Sequence, residues 1–449
     1  MNLYRMLRAR AAEHRPVSVG LIGCGKFASM FLAQVPRTPG LHVRAIADLN
    51  VERARATLAR IGWEAERLAA GPDSTRKHET WLADDAGRVI ADPRIEVIVE
   101  ATGHPGAGIR HALAAIDAGK HVVMVNVEAD VLAGPVLAAR ARQAGVVYSL
   151  AYGDQPALVC ELVDTVRTAG FAVVAAGKGT KYLPAYHAST PETVWRHYGI
   201  SPDDARAGGM NPQMFNSFLD GTKSGIEMAA IANATGLVAP EDGLLFPPCG
   251  ADDLPLVLRP AAEGGMLARK GTVEVVSSLE RDGRPVHRDL RWGVYVVFEG
   301  ETEYVRRCFA EYGVATDPSG RYAALYRPYH LIGLELGVSV ASVALRGEPT
   351  GAPDAWRADV AATAKRDLAA GEVLDGEGGA TVWGTCIPAA RAAGEGTLPI
   401  GLAHGVRLKR AVAAGEVLRW TDVAYDAADE VVRLRRAMEE SHRPAQAAD

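Results

Sequence analysis

Three ionisable residues on one predicted helix are where this chain could do chemistry: Asp220, Lys223 and Glu227. Pro212 near the start and Gly236 at the end bracket a single long helix. At 100° per residue, Asn216, Asp220, Lys223 and Glu227 fall within about 60° of arc. A lysine there can polarise a carbonyl and stabilise the oxyanion charge that develops as it is reduced. Glu227 or Asp220 can move the proton, with a pKa tuned by the apolar helix and the neighbouring lysine. The other faces are rich in Met, Phe, Ile and Ala. Charges aligned on such a helix predict a cleft; a solvated face carrying i, i+4 ion pairs is the competing reading.

Anion-binding equipment is expected on either side. Ala172 to Ala176 reads as a strand, and Gly177-Lys178-Gly-Thr-Lys181-Tyr182 as the loop after it. Lysines flanked by glycines can grip a phosphate or carboxylate as point charges, with Tyr186 and His187 close behind; a solvated basic loop is the alternative. Ser189-x-x-Glu192 reads as a capping box for a helix through His197. Further on, Arg321, Tyr326, Arg327, Tyr329 and His330 form an aromatic and basic cluster, read as the opening of a helix through Ala344. It suits anion binding and interdomain packing equally.

The elements that must position these residues begin at Val17. An apolar run ends at Gly23, and Gly23-x-Gly25-Lys26-Phe27-Ala28 leads into an apolar helix. This is the dinucleotide arrangement: a tight turn, close approach of backbone to pyrophosphate, close helix–strand packing, and a helix N-terminus for the anion. Asp48 closes the next apolar run, where an acid accepts the ribose hydroxyls. Strands at 95–100, 121–125 and 146–150 alternate with helices at 52–61, 84–90, after Gly106 through Ala118, and 131–144, which predicts a doubly wound parallel sheet. Ligands bind at the C-terminal ends of such strands, which selects Thr102, Gly103, His104 and Asn126 as further cofactor contacts, a solvent-exposed loop histidine being the alternative for His104.

The chain is expected to be α/β, with a Rossmann domain over 1–152 and an α+β catalytic domain over 153–346. In the latter, 273–278 and 290–298 read as a hairpin-like pair. A Pro/Gly-rich linker follows at 347–353. Lys365-Arg-Asp-Leu-Ala-Ala-Gly-Glu-Val-Leu374 recurs as Lys409-Arg-Ala-Val-Ala-Ala-Gly-Glu-Val-Leu418, which implies a small pseudo-symmetric β domain over 354–426. A charged helix and tail fill 427–449. With 49 basic and 54 acidic residues, nothing pulls the chain toward nucleic acid or anionic membrane. Five scattered cysteines predict reduced thiols and a cytoplasmic location.

Gly-Leu-Ile-Gly-Cys-Gly-Lys-Phe, Val97-Ile-Val-Glu-Ala-Thr-Gly103 and the helix closing at Gly236 resemble the homoserine dehydrogenase group. The repeat resembles the SAF (antifreeze-like, β-clip) domain. Together they resemble the 1-deoxy-D-xylulose 5-phosphate reductoisomerase-like proteins, DRL. That resemblance implies reduction and rearrangement of this ketose phosphate to 2-C-methyl-D-erythritol 4-phosphate, for isoprenoid synthesis, with NADPH. NADH is the other candidate cofactor, because Asp48 should repel a 2′-phosphate unless Arg53 compensates.

Two departures argue against homoserine as substrate. Met124-Val-Asn126-Val-Glu128 lacks the group's lysine, and Lys223 and Glu227 stand where the group has aspartate and lysine. Lys223, Glu227, Asp220 and Lys181 are then the expected catalytic residues; Lys178, Asn216, Arg327 and His187 are the expected substrate contacts. A divalent metal on Asp220 and Glu227 stays open, and a homodimer or homotetramer is the expected assembly. The rival readings are a plain dehydrogenase on a hydroxy- or amino-aldehyde and a non-catalytic nucleotide sensor.

Overall fold

The computed structural model describes residues 2–74 and 79–441, so the end of the expected 427–449 tail lies outside the described residues. The chain forms two compact units, Met1–Glu161 with His330–Asp354, and Leu162–Tyr329 with Ala355–Asp449. Each is taken by itself.

The first unit is built on a six-stranded sheet of β1 (Val17–Ile22), β2 (Leu41–Ala47), β3 (Trp81–Ala83), β4 (Val97–Glu100), β5 (His121–Met124) and β6 (Tyr148–Leu150). Their order is β3-β2-β1-β4-β5-β6 and every pairing is parallel. β1 and β4 read as nearly unbroken apolar runs because both faces of the sheet are covered. One cover comes from far along the chain. The helix Gly337–Arg346 adds Val340, Ala341 and Val343 to the core that holds Val19, Phe31 and Val97. Ser339 Oγ accepts from Tyr152 N at 2.7 Å, and Leu150 N donates to Gly351 O at 2.7 Å. Residues 330–354 therefore belong to the first unit, whereas the sequence predicts a catalytic segment over 153–346.

The second unit holds a four-stranded sheet of β7 (Ala172–Thr180), β8 (Thr272–Ser277), β9 (Val294–Glu299) and β10 (Tyr322–Arg327), in the order β10-β9-β7-β8. Three expectations are corrected here. β8 and β9 do not form a hairpin pair: β7 lies between them, parallel to β8 and antiparallel to β9. The segment around Arg327 is a strand, not the start of a helix. The lysine–glycine run is no loop as far as Thr180, because β7 continues through it. A side chain at Gly177 would collide with the Glu274 carbonyl, and one at Gly179 with the Leu290 carbonyl. These glycines let neighbouring backbones approach; they do not form a phosphate cradle. The expected capping box at Ser189 is also absent. A short helix runs Val194–Tyr198, and Thr193 Oγ1 accepts from Thr190 N.

The C-terminal part adds β11 (Ala358–Ala364), β12 (Val373–Asp375), β13 (Val382–Pro388), β14 (His404–Leu408) and β15 (Val423–Ala424). β11 pairs with β13, while β12, β14 and β15 form a second small sheet. The two sequence copies meet about a pseudo-twofold. Leu368 and Val412 exchange backbone hydrogen bonds of 2.9 and 3.0 Å, and Gly371 N→Leu408 O is matched by Gly415 N→Ala364 O, both 2.8 Å. The last helix, Glu430–Ser441, is pinned by the fully buried Arg435, which lies between Asp359 and Glu439 and over the Trp356 ring. Among the described residues no helix is long and apolar enough to cross a membrane.

Candidate active site

The expected long helix is broken. Pro212–Leu219 and Thr222–Thr235 are separate helices, joined by Asp220 and by Gly221 at φ +92°. That conformation suits glycine, and Asp220 uses its side chain to start the second helix by accepting from Thr222 N at 2.8 Å. Asn216 therefore does not share a helix face with Lys223 and Glu227. It is buried and satisfied as a structural link: it accepts from Ser189 Oγ at 2.7 Å and donates to the Ser189 and Gly378 carbonyls.

The second helix, called the central helix below, is largely buried and is not a solvated face. It packs between β7 and β8 on one side and β11 and β13 on the other, so it is apolar nearly all round. Gly225 and Gly384 let helix and β13 approach closely, and Gly384 N donates to Thr222 Oγ1 at 2.9 Å. Within this packing Lys178, on β7, forms a buried ion pair with Glu227. Lys223, one turn before Glu227, is half-buried on the same helix.

A residue with no assigned role in the sequence completes the joint. Lys365 reaches from the first copy of the repeat to Asp220 Oδ2 at 2.7 Å, and also to the carbonyls of Ser189 and Gly379. Its side chain is 2% exposed. The matching Lys409 of the second copy is exposed, so the internal repeat hinted at a paired position but not at which lysine would be buried. Asp220, with one carboxylate oxygen on a backbone N–H and the other on Lys365, positions the joint and is not placed to shuttle protons.

His187 closes the same joint. Its Nδ1 faces the Asp220 carbonyl at 2.7 Å and its Nε2 the Tyr182 hydroxyl at 2.9 Å. A carbonyl only accepts, so Nδ1 carries the proton and Nε2 accepts from Tyr182. The ring stacks on Trp383 at 3.7 Å, and burial pushes its pKa down to about 4. It is a neutral packing residue, not the substrate contact expected. Lys181, beyond the end of β7, donates to the His197 carbonyl, and burial and Arg291 lower its pKa. Arg327 shares one register row with Val294 and Lys178 across β10, β9 and β7, and lies over the Tyr329 ring.

Among the described residues no three His, Cys, Asp or Glu side chains gather to hold a metal. Asp220 and Glu227, the expected oxygen donors, are each engaged by a lysine. The residues present therefore do not fit the divalent metal left open above.

The dinucleotide loop fits its group. Gly23 has φ +92°, and a Cβ there would meet the Ala101 carbonyl at 2.6 Å, so only glycine serves. A Cβ on Gly25 would meet nothing within 4 Å, which leaves open space beside the N-terminus of the helix Lys26–Gln34. Lys26 is exposed, Phe27 half-buried and Ala28 buried against the sheet. Asp48 is more engaged than expected. It accepts from Cys24 N and Asn50 N, both at 2.9 Å, and from the Arg53 guanidinium at 2.9 Å. Arg53 thus reaches back to Asp48 from the following helix.

At the ends of β4 and β5, Thr102, Gly103 and His104 are exposed, while Asn126 is buried as the cap of the helix Val127–Gln143. His104 Nδ1 caps the helix Pro105–Asp117. Glu100, read only as part of a strand, is fully buried and holds this loop through Thr102 and His111. A Cβ on Gly108 would lie 2.8 Å from Asn126 Nδ2 and 3.1 Å from Glu100 Oε2. The signal for Glu100 was an acid closing a buried apolar strand.

Fold and sequence matches define the class. Residues 23–150 match the NAD-binding domain of homoserine dehydrogenase, and residues 153–336 the catalytic domain of oxidoreductase DRL. Both matches are to domains of oxidoreductases, the first of them NAD-binding. An SAF domain is matched at residues 360–424. The 1-deoxy-D-xylulose 5-phosphate reductoisomerase of Heliobacterium modesticaldum is 30% identical over 156 residues, 34% of this chain and 40% of that protein. The chain thus spans less than half the length of this curated relative. A probable dehydrogenase from Thermotoga maritima aligns at 16% identity over 74% of this chain and 90% of that one, TM-score 0.36. Myo-inositol dehydrogenase from Lactobacillus casei aligns at 21% identity over 40% of this chain and 50% of that one, TM-score 0.28.

Proposed function

We propose that this chain reduces, and in doing so rearranges, a small phosphorylated polyol-ketone, with 1-deoxy-D-xylulose 5-phosphate as the leading substrate. The observation that carries the reading is the buried ion pair between Lys178 of β7 and Glu227, which shares its helix with Lys223, within the segment matched to the DRL catalytic domain. Lys223 polarises the substrate carbonyl and steadies its developing negative charge. Glu227, paired with Lys178, moves the proton. Asp220 and Lys365 fix the start of the helix and so the position of Lys223.

The Gly23–Ala28 loop holds the dinucleotide, whose nicotinamide supplies the hydride. NADPH is the favoured form. Asp48 is already neutralised by Arg53, whose side chain is 64% exposed and has donors left for a 2′-phosphate. A homo-oligomer belongs to the same reading, supported by the exposed Leu325 and Tyr326 on the edge strand β10. Sedimentation of the full chain as a monomer would remove that part.

Product analysis with carbon-labelled ketose phosphate and NADPH tests the reaction. A rearranged carbon skeleton is expected; simple carbonyl reduction would make the chain a plain dehydrogenase. Lys223→Met should abolish turnover, and unchanged turnover would remove Lys223 from the chemistry.

A further inference from the structure

We propose that Lys181 and Arg291 form an anion subsite that holds the phosphate of the substrate. The proposal rests on the reaction suggested above, but its geometry is independent of it. Lys181 follows the last residue of β7 and Arg291 precedes β9, and the two strand ends are tied by Gly179 N→Gly293 O at 3.1 Å. Both cations face one aromatic ring. Lys181 Nζ lies 5.5 Å and the Arg291 guanidinium carbon 5.9 Å from the centre of Tyr198. Tyr198 is itself held edge-on against Phe215, and Arg291 also covers Trp292 at 4.7 Å.

What sets this pair apart is the missing counter-charge. The well-buried basic groups of this unit each have a carboxylate: Lys178 has Glu227, Lys365 has Asp220, Arg259 has Asp317, and Arg435 has Asp359 and Glu439. Among the described residues Lys181 and Arg291 have none; the Lys181 ammonium is met only by the His197 carbonyl. The surroundings add positive potential. Burial first, then Arg196 and Lys181, disfavour the protonated form of His197, and burial first, then Arg291, disfavour that of Lys181. Two half-buried like charges held near one ring repel each other unless an anion joins them.

A phosphate dianion supplies that anion. A lysine keeps two ammonium protons after binding one carbonyl, and a guanidinium presents a planar fork that matches two phosphate oxygens. The Lys178 role expected from the sequence passes to this pair, because the Lys178 ammonium is buried on Glu227. Arg291 enters the site as a residue with no earlier assignment.

The test uses the full chain and inorganic phosphate as the probe, followed by ³¹P line broadening, with Arg291→Met and Lys181→Met as variants. Saturable binding by the parent chain is expected, weakened about tenfold or more in each variant, as for loss of a hydrogen bond to a charged group. The preference of kcat/KM for the phosphorylated over the dephosphorylated ketose should fall by a similar factor. Without phosphate Arg291→Met should melt no lower than the parent, because one of two repelling charges is gone; a structural role would lower the melting temperature. No saturable binding by the parent, or binding unchanged in both variants, overturns the subsite. If phosphate binds and the variants lose it, yet no phosphorylated ketone is turned over, the subsite stands and the proposed reaction falls.

Discussion

An ammonium and a carboxylate taken out of water together, as Lys178 and Glu227 are, stay there only because each compensates the other. Removing one leaves an uncompensated buried charge, at a cost of about 3–5 kcal/mol, whereas replacing both by apolar groups is often neutral. Lys178→Met should therefore lower the denaturant midpoint strongly, and Lys178→Met with Glu227→Leu should recover most of the loss. Equal midpoints for the single variant and the parent would show that the pair contributes nothing.

His187 gives a second test, through pH. Its pKa is near 6.5 when unfolded and is pushed down to about 4 in the fold. Between those values the unfolded chain binds the extra proton and the folded chain does not, so stability falls as pH drops through that window, by up to about 3 kcal/mol. Burial raises Asp130 and Glu274 to about 7 and gives the opposite slope, with stability lost as pH rises from the ordinary carboxylate range to that value. Comparing His187→Phe with the parent cancels those carboxylates. The variant should show the shallower loss between pH 6.5 and 4, read from denaturant midpoints, and parallel curves would remove His187 from the account.

Elements turn on two glycines whose roles are opposite in kind. Gly221 bends the chain where a helix was expected to continue, and its φ of +92° costs another residue about 1–2 kcal/mol. A Cβ there would also press on the His187 and Phe246 rings at 3.3 and 3.4 Å. Gly221→Ala should lower both melting temperature and turnover, the latter because Lys223 begins two residues on; full turnover in a folded variant would separate the joint from the chemistry. Gly177 bends nothing: it makes room for β8, and Gly177→Ala should prevent the second unit from folding, seen as loss of soluble chain.

These two sites also show what was legible in the residues alone. The β1 turn at Gly23 was, because strand, glycine and helix are all local to it. The break at Asp220–Gly221 was not: an Asp-Gly pair inside a helical pattern is a weak signal, and the lysine that fixes it lies 145 positions away. Lys223 and Glu227 do share a helix as their spacing required, but Asn216 left the stripe with the break. Lys178 was misread as a loop residue because glycine marks both turns and close strand contacts, and only the neighbouring strands tell the two apart.

At the scale of the whole molecule, the repeat domain is a structural part of the second unit, not an appendage. β11 and β13 cover one side of the central helix, Asn233 Oδ1 accepts from Arg357 N and Ala358 N at its far end, and Lys365 locks its start. Removing that cover would expose the side of the helix around Gly225, which lies against Gly384 and Cys386, on a helix buried nearly all round, and would leave Asp220 without its cation. Each large apolar side chain returned to water costs about 1.5–3 kcal/mol, so several exceed the margin of an ordinary domain. A chain ending at Asp354 should therefore be insoluble or degraded. Residues 355–449 supplied as a separate polypeptide should restore soluble material, because that piece rebuilds the missing face without new covalent chemistry. Lys365→Met in the full chain should stay soluble with a lowered melting temperature, since it removes the lock and keeps the cover. If the shortened chain were soluble and melted like the full one, the central helix would have to find its cover elsewhere, and the catalytic segment would be complete without the repeat.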